Sequence, residues 1–261
     1  MHPLTVVRQK VLQASWEHCW HCLATPAIVA EWFADTDLIA PGHRVVFDFG
    51  DGDFFAGCVT DCEPPSALRL TWRFWDIGPS YDIAYVLSPL GRATEVSVID
   101  RGSDGPDEVG SLREGWEDFL TRLQTRAETG EPCRYRWSES LGGTCFAEDV
   151  PELRARLADA GWWQRCFPGG RVTLGGDTRS YRLQFSEPGW GGVVTAAHVR
   201  FEGHLGRACL RASHGGWTAL PHDTQVGIRR RYAGLWRDLL VSIETEFGLR
   251  DRPQYAVDVT S

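Results

Sequence analysis

Apolar and polar residues alternate with a period of two through much of the chain and switch to a helical period in a few segments. Leu4–Leu12 reads as a first strand. Ser15 is a helix N-cap just ahead of Trp16, Cys19, Trp20 and Leu23, whose spacing makes one apolar stripe. Pro26 predicts the first turn of a second short helix that runs to about Phe33. Pro41-Gly42 then turns the chain into strands. Val45, Phe47 and Phe49 alternate with polar neighbours, and Asp51-Gly52 signals a hairpin. Further strands are predicted over 54–62 and, after the Pro64-Pro65 break, over 68–75. Leu68, Leu70, Trp72 and Phe74 share one face of that strand, and Tyr81, Ile83, Tyr85 and Leu87 share a face of the next. Beyond a turn at 89–91, Thr94, Val96, Val98 and Asp100 form another such face. Val109, Leu112, Trp116, Phe119, Leu120 and Leu123 recur at i, i+3, i+4 and i+7, which predicts a long amphipathic helix. Strand, two short helices, a strand meander and a long helix make an α+β unit in which sheet and helix share one core.

The pattern then restarts. PGHRV at 41–45 returns as PGGRV at 168–172, and LGRA at 90–93 returns at 205–208. Trp116-Glu-Asp118-Phe-Leu120 returns as Trp236-Arg-Asp238-Leu-Leu240. Three matches in the same order point to duplication. The predicted domains are 1–130 and 131–261, joined by a linker over 126–134 that contains Gly130 and Pro132. The second copy is degenerate. One helix over 150–166 is predicted where the first half has two, and glycine is frequent in its strands, as at Gly175-Gly176. Its last helix remains strong, with Ile228, Tyr232, Leu235, Leu239 and Ile243 on one face.

Composition narrows the function. The 261 residues carry 12 Trp against one Met, more than packing alone requires, which makes an aromatic-lined cavity an expectation. A net charge of −8 argues against a nucleic-acid partner. No apolar run reaches membrane-spanning length and no charged-then-apolar leader opens the sequence, so a cytoplasmic location with reduced cysteines is expected.

The sharpest local motif is His18-Cys19-Trp20-His21-Cys22. Zinc needs four converging ligands, yet on a helix only pairs such as His18/Cys22 share a face, and no second pair with ligand spacing follows. The expectation is ordinary core cysteines and no metal. Asp48, Asp51 and Asp53 lack the calcium-loop pattern and read as solvated hairpin carboxylates. Asp100 lies on an apolar face, and His214 takes its place in the repeat. Each reads either as a polar group oriented toward a ligand or as a cap for the following loop. Trp72, Phe74, Tyr81, Tyr85, Trp116 and Phe119 are the candidates to line a space between sheet and helix, with core packing as the other reading. Asp100, Tyr85 and His214 are the only acid/base candidates. Phosphate-binding, dinucleotide, zinc-protease and serine-hydrolase motifs are missing from the sequence, and no cofactor is expected.

Several of these residues together carry a family resemblance. They are Ala14-Ser15 with Trp20, Thr25-Pro26 leading to Glu31-Trp32-Phe33, and Asp61-x-Glu63-Pro64-Pro65 followed by Leu68-x-Leu70-x-Trp72. Gly91-x-x-Thr94-x-Val96 and Gly115-Trp116 complete the set. The first half resembles the START/Bet v 1-like superfamily (SRPBCC), in the branch of heat-shock ATPase activator homologues. The second half resembles it only from about Arg171, through His214-Gly-Gly-Trp217 and the Trp236 helix. The resemblance implies tandem helix-grip domains with a cavity between sheet and C-terminal helix. It also implies a context, because relatives occur in natural-product gene clusters, enediyne clusters among them, where some serve self-resistance. The expected function is binding or sequestration of a hydrophobic, polycyclic small molecule in the first domain. The second domain would then be structural, capping or regulatory. The alternatives are a cofactor-independent polyketide cyclase or aromatase and a co-chaperone-like interaction protein.

Overall fold

The computed structural model describes residues 4–103, 106–136, 139–176, 180–204 and 206–248. Its first half follows the predicted order. β1 (Leu4–Leu12) leads into α1 (Trp16–Ala24) and α2 (Pro26–Trp32). A meander follows of β2 (Arg44–Asp48), β3 (Phe54–Glu63), β4 (Ala67–Phe74), β5 (Tyr81–Leu90) and β6 (Ala93–Ser103), closed by α3 (Pro106–Thr129). The Ser15 side chain accepts a hydrogen bond from the His18 backbone N–H at 3.3 Å, which caps α1 as its residue type predicts. Pro26 opens α2, where a missing N–H costs nothing. The strands form one antiparallel sheet in the order β1-β6-β5-β4-β3-β2, so the first and last strands of this half are neighbours. The predicted inward faces of β4, β5 and β6 point into the core beneath α3, with Leu120 and Leu123 of that helix buried among them; Phe74 at the end of β4 instead packs against the core of the second half.

The second half repeats this plan with one strand fewer. β7 (Leu141–Phe146) is followed by α4 (Pro151–Leu157) and α5 (Ala160–Cys166), then β8 (Arg171–Gly176), β9 (Ser180–Ser186), β10 (Thr195–His204) and β11 (Arg207–Gly215). A short 3-10 turn and α6 (Gln225–Phe247) complete it. The sheet order, β7-β11-β10-β9-β8, again puts the first strand beside the last. Leu205, part of the returning LGRA word, lies outside the described residues.

Three expectations need correction. The single helix over 150–166 is two, as in the first half, because Asp159 caps a new helix by accepting from Gly161 N–H at 2.8 Å. That restores the correspondence upstream of Arg171 as well, with β7, α4 and α5 standing where β1, α1 and α2 stand. The linker begins later than predicted, since α3 continues through Thr129 before Gly130 takes a left-handed turn at φ 76°. Asp51 and Asp53 are not solvated. They sit buried or nearly so in the β2–β3 hairpin, facing Arg229 of α6.

The two halves are locked together at this point. Arg229 has no exposed side-chain surface, lies 2.6 Å from Asp53 and 3.4 Å from Asp51, and donates to the Ser140 carbonyl at 3.0 Å. Beside it, Trp75 leaves the end of β4 at φ 54° and buries its ring in the core of the second half. Its indole N–H donates to the Gly52 carbonyl at 3.1 Å. Room for the ring comes from Gly143 of β7, where a Cβ would stand 2.7 Å from the Trp75 ring. Replacing Trp75 by Ala empties this socket and is expected to cost about 3–5 kcal/mol of stability, read from urea unfolding. A loss below about 1 kcal/mol would mean that the ring does not anchor the second half.

Candidate functional site

Each half places one polar side chain of its last strand against one tryptophan of its last helix. In the first half, Trp116 on α3 donates its indole N–H to Asp100 Oδ2 on β6 at 2.7 Å. In the second, Trp236 on α6 donates to His214 Nδ1 on β11 at 3.0 Å. Both acceptors are almost fully buried. Neither Asp100 nor His214 therefore serves as a simple cap at the sheet rim, because each reaches across the core to the helix.

The chemistry of the two acceptors differs. An indole N–H can only donate, so His214 Nδ1 must present its lone pair and the ring proton sits on Nε2. Nε2 is 2.8 Å from Thr195 Oγ1, which accepts that proton in a hydrogen bond. Burial pushes the imidazole pKa down to about 3, so His214 stays neutral. Around it, Phe167, Phe185, Trp163, Trp217 and Tyr232 have almost no exposed surface and fill the space under α6. His214 is thus enclosed in a packed aromatic core.

In the first half the corresponding space opens outward. A cavity of about 640 Å³ is lined from the sheet by Phe55, Trp72, Phe74, Tyr81 and Asp100, and from α3 by Ser111, Leu112, Gly115, Trp116 and Phe119. The Trp72 and Trp116 rings lie nearly parallel, 4° apart in plane and 5.6 Å between centroids. Phe55 stacks on Trp72 at 4.4 Å, and Phe119 meets Trp116 edge-on at 5.8 Å. A further wall comes from the second half, through Ser140 and residues 141–144 of β7, and through Arg200, Arg211, Ala212 and Ser213 of β10 and β11. The cavity is therefore a junction between halves and is not enclosed by one sheet and its helix alone.

Of the six aromatic candidates, Trp72, Phe74, Tyr81, Trp116 and Phe119 line this cavity and Tyr85 does not. Tyr85 is buried below it, meeting Trp116 edge-on at 5.9 Å. Burial, with the Asp100 charge in support, raises its pKa well above the usual phenol range, so it remains a phenol. Asp100 lines the cavity, whereas His214 belongs to the filled core. Sequence reasoning placed Leu112 on the apolar stripe of α3 without assigning it to the site, and passed over Phe55 on β3. It had no signal at all for Arg200 and Arg211, which occupy strand positions that read as solvent-facing.

Cys19 and Cys22 are core thiols on the buried face of α1, and burial pushes Cys22 up to about 11. The His18 ring approaches Cys22 Sγ at 3.9 Å, and no group of three or more metal-ligating side chains forms among the described residues. A second groove of about 580 Å³ contains Arg44, Arg230 and Arg237. Those arginines are engaged with Asp76, the Gly50 carbonyl and Asp238. The aromatic cavity is the better candidate site.

A sheet packed on a long C-terminal helix, present twice, defines a tandem helix-grip protein. Residues 13–128 match the family described as "Activator of Hsp90 ATPase homolog 1-like protein", which lies within the SRPBCC superfamily. Among solved structures, the crystal structure of DynU16, from the dynemicin biosynthetic locus, is 28% identical with a TM-score of 0.80. It covers 92% of this chain and 98% of that one. MLL2253 from Mesorhizobium loti is 25% identical over 47% of this chain and 95% of its own, with a TM-score of 0.43. CalU16 from Micromonospora echinospora is 19% identical over 47% of this chain and 73% of its own, also at 0.43. No curated protein matches the chain.

The neutral, buried His214 has a measurable consequence. Below its ordinary pKa of 6.5 the unfolded chain takes up a proton that the folded protein refuses until about pH 3. Stability should fall as pH drops through that window, with a slope approaching ~1.4 kcal/mol per pH unit. Asp53 acts in the opposite sense. Burial outweighs the pull of Arg229 and raises its carboxyl to about 6, so its contribution is lost as pH rises between 3.8 and about 6. Comparing His214→Gln with the parent protein cancels the Asp53 contribution, and the variant should show the shallower acid slope in urea midpoints. Equal slopes would rule out a neutral imidazole in the core.

Proposed function

We propose that this protein binds a hydrophobic, flat, polycyclic small molecule in the junction cavity, as part of bacterial secondary metabolism. Either biosynthesis or self-resistance would use such a binder. On this reading residues 1–130 form the binding domain, and residues 131–261 form a second domain that caps it. The protein would act in the cytoplasm, and among the described residues no helix is long and apolar enough to cross a membrane.

The observation that carries the reading is the parallel Trp72–Trp116 pair on the wall of a cavity of about 640 Å³. That volume suits a ligand of several fused rings, and the apolar aromatic wall that the stacked pair anchors favours a flat partner. The context rests on DynU16, whose locus makes dynemicin and whose similarity runs through nearly the whole of both chains. The filled core under α6 favours a single ligand site in the first half.

A cyclase or aromatase is the second reading, and one observation favours it: the Asp100 carboxylate reaches the cavity surface. Two variants separate the readings. Trp72→Phe keeps an aromatic ring at this position but shrinks the cavity's apolar wall, and should weaken binding of a polycyclic ligand by about 1–2 kcal/mol, measured by quenching of tryptophan fluorescence. Asp100→Asn keeps an oxygen for the Trp116 N–H and should leave affinity within about threefold. If the protein is a cyclase, Asp100→Asn should instead abolish turnover of a polyketide substrate with affinity intact. Absence of binding to any flat polycyclic probe at micromolar concentration would exclude both, leaving the interaction-protein reading.

A further inference from the structure

The wall that the second half contributes to the cavity is cationic. Arg200 on β10 and Arg211 on β11 are direct cross-strand partners, so their side chains leave the sheet on the same face. Both line the same cavity as the tryptophan pair. Like charges placed directly opposite repel, and such a pair is destabilising unless something compensates it. Glu202 compensates in part. Its carboxylate stands 3.2 Å from the Arg200 guanidinium and 3.3 Å from that of Arg211. Two cations share one anion, which leaves a net positive charge on this wall. The acids elsewhere on the cavity surface are already engaged, Asp53 with Arg229 and Asp100 with the Trp116 N–H. The guanidinium groups remain about half exposed, so they keep donors for a further acceptor.

We propose that the ligand carries an acidic group, a carboxylate or an ionised enol or phenol, which docks between Arg200 and Arg211 while its ring system lies against Trp72 and Trp116. This deepens the binder reading and rests on it. The chemical class is an aromatic or polycyclic acid. Planar guanidinium groups suit it, because they offer paired donors to two oxygens of an anion at once. The second half, whose own interior is filled, then keeps a role in ligand selection through the outer face of its sheet. Glu202 competes for the same two guanidinium groups, so it tunes the anchor and sets how readily an entering anion displaces it.

The test uses the full chain and two matched probes, anthraquinone-2-carboxylate and anthraquinone-2-carboxamide, followed by tryptophan quenching and calorimetry. They share a flat body and differ in charge. The carboxylate should bind about tenfold tighter at low salt, the usual scale for one charge-assisted contact, and the advantage should shrink as salt is raised. In Arg200→Gln/Arg211→Gln the carboxylate should lose that advantage while carboxamide affinity stays within about twofold. Glu202→Gln should act in the opposite direction and strengthen carboxylate binding severalfold, which a merely structural role for this cluster would not produce. If both probes bind the parent protein equally, or if the double variant keeps the preference, the anchor is overturned while the polycyclic binder reading survives. If neither probe binds, the binder reading itself falls and the anchor with it.

Discussion

Arg229 carries a positive charge into the interior, where an isolated ion would cost several kcal/mol in lost hydration. The β2–β3 hairpin of the first half meets that cost with Asp51 and Asp53, and the Ser140 carbonyl accepts a further hydrogen bond. Two acids against one base leave the cluster short of positive charge, and burial raises Asp53 accordingly. Such a cluster adds little net stability compared with apolar packing, but it fixes geometry, because any slip between halves would strand a charge out of water. Trp75 supplies the apolar part of the same contact, filling a socket that exists only because position 143 is glycine. With hairpin and ring seated, the outer face of the second sheet is held across the mouth of the first half's cavity.

Within each half, the bond from a helix tryptophan to a strand residue performs an equivalent service. It ties the long helix to the last strand across the core, and satisfies an indole N–H that would otherwise be buried without a partner. The two copies have diverged at its acceptor. An aspartate at position 100 keeps a carboxylate beside open space. A histidine at 214 presents a neutral ring that packs, tilted or edge-on, among Trp217, Phe185 and Tyr232. A flat uncharged acceptor can be packed on its faces at little cost, whereas a carboxylate cannot, so the filled core and the changed acceptor belong together.

On the proposed reading, this division lets the degenerate copy contribute to the site. Its interior has become ordinary core, but its sheet still offers an outer face, and that face meets the first half's aromatic wall. A cavity built this way has an apolar side and a cationic side contributed by different parts of the chain. Either half alone would present only an incomplete surface.

Periodicity determined most of the architecture from sequence alone. The inward faces of β4, β5 and β6, the stripe of α3 and the three returning words required both the fold and its duplication, because the strand and helix periods are local properties of the chain. The aromatic side of the cavity was legible for the same reason, since Trp72, Phe74, Trp116 and Phe119 fall on those faces. The paired α4 and α5 were missed because one short cap at Asp159 interrupts an apolar run that otherwise reads as continuous. What no local pattern contains is contact between the halves. Asp51 and Asp53 have the composition of a solvated hairpin, and Arg200 and Arg211 occupy solvent-facing strand positions. Only the docking of two separately folded sheets turns the first pair into a buried ion cluster and the second into a cavity wall, because burial there depends on surfaces far apart in the chain.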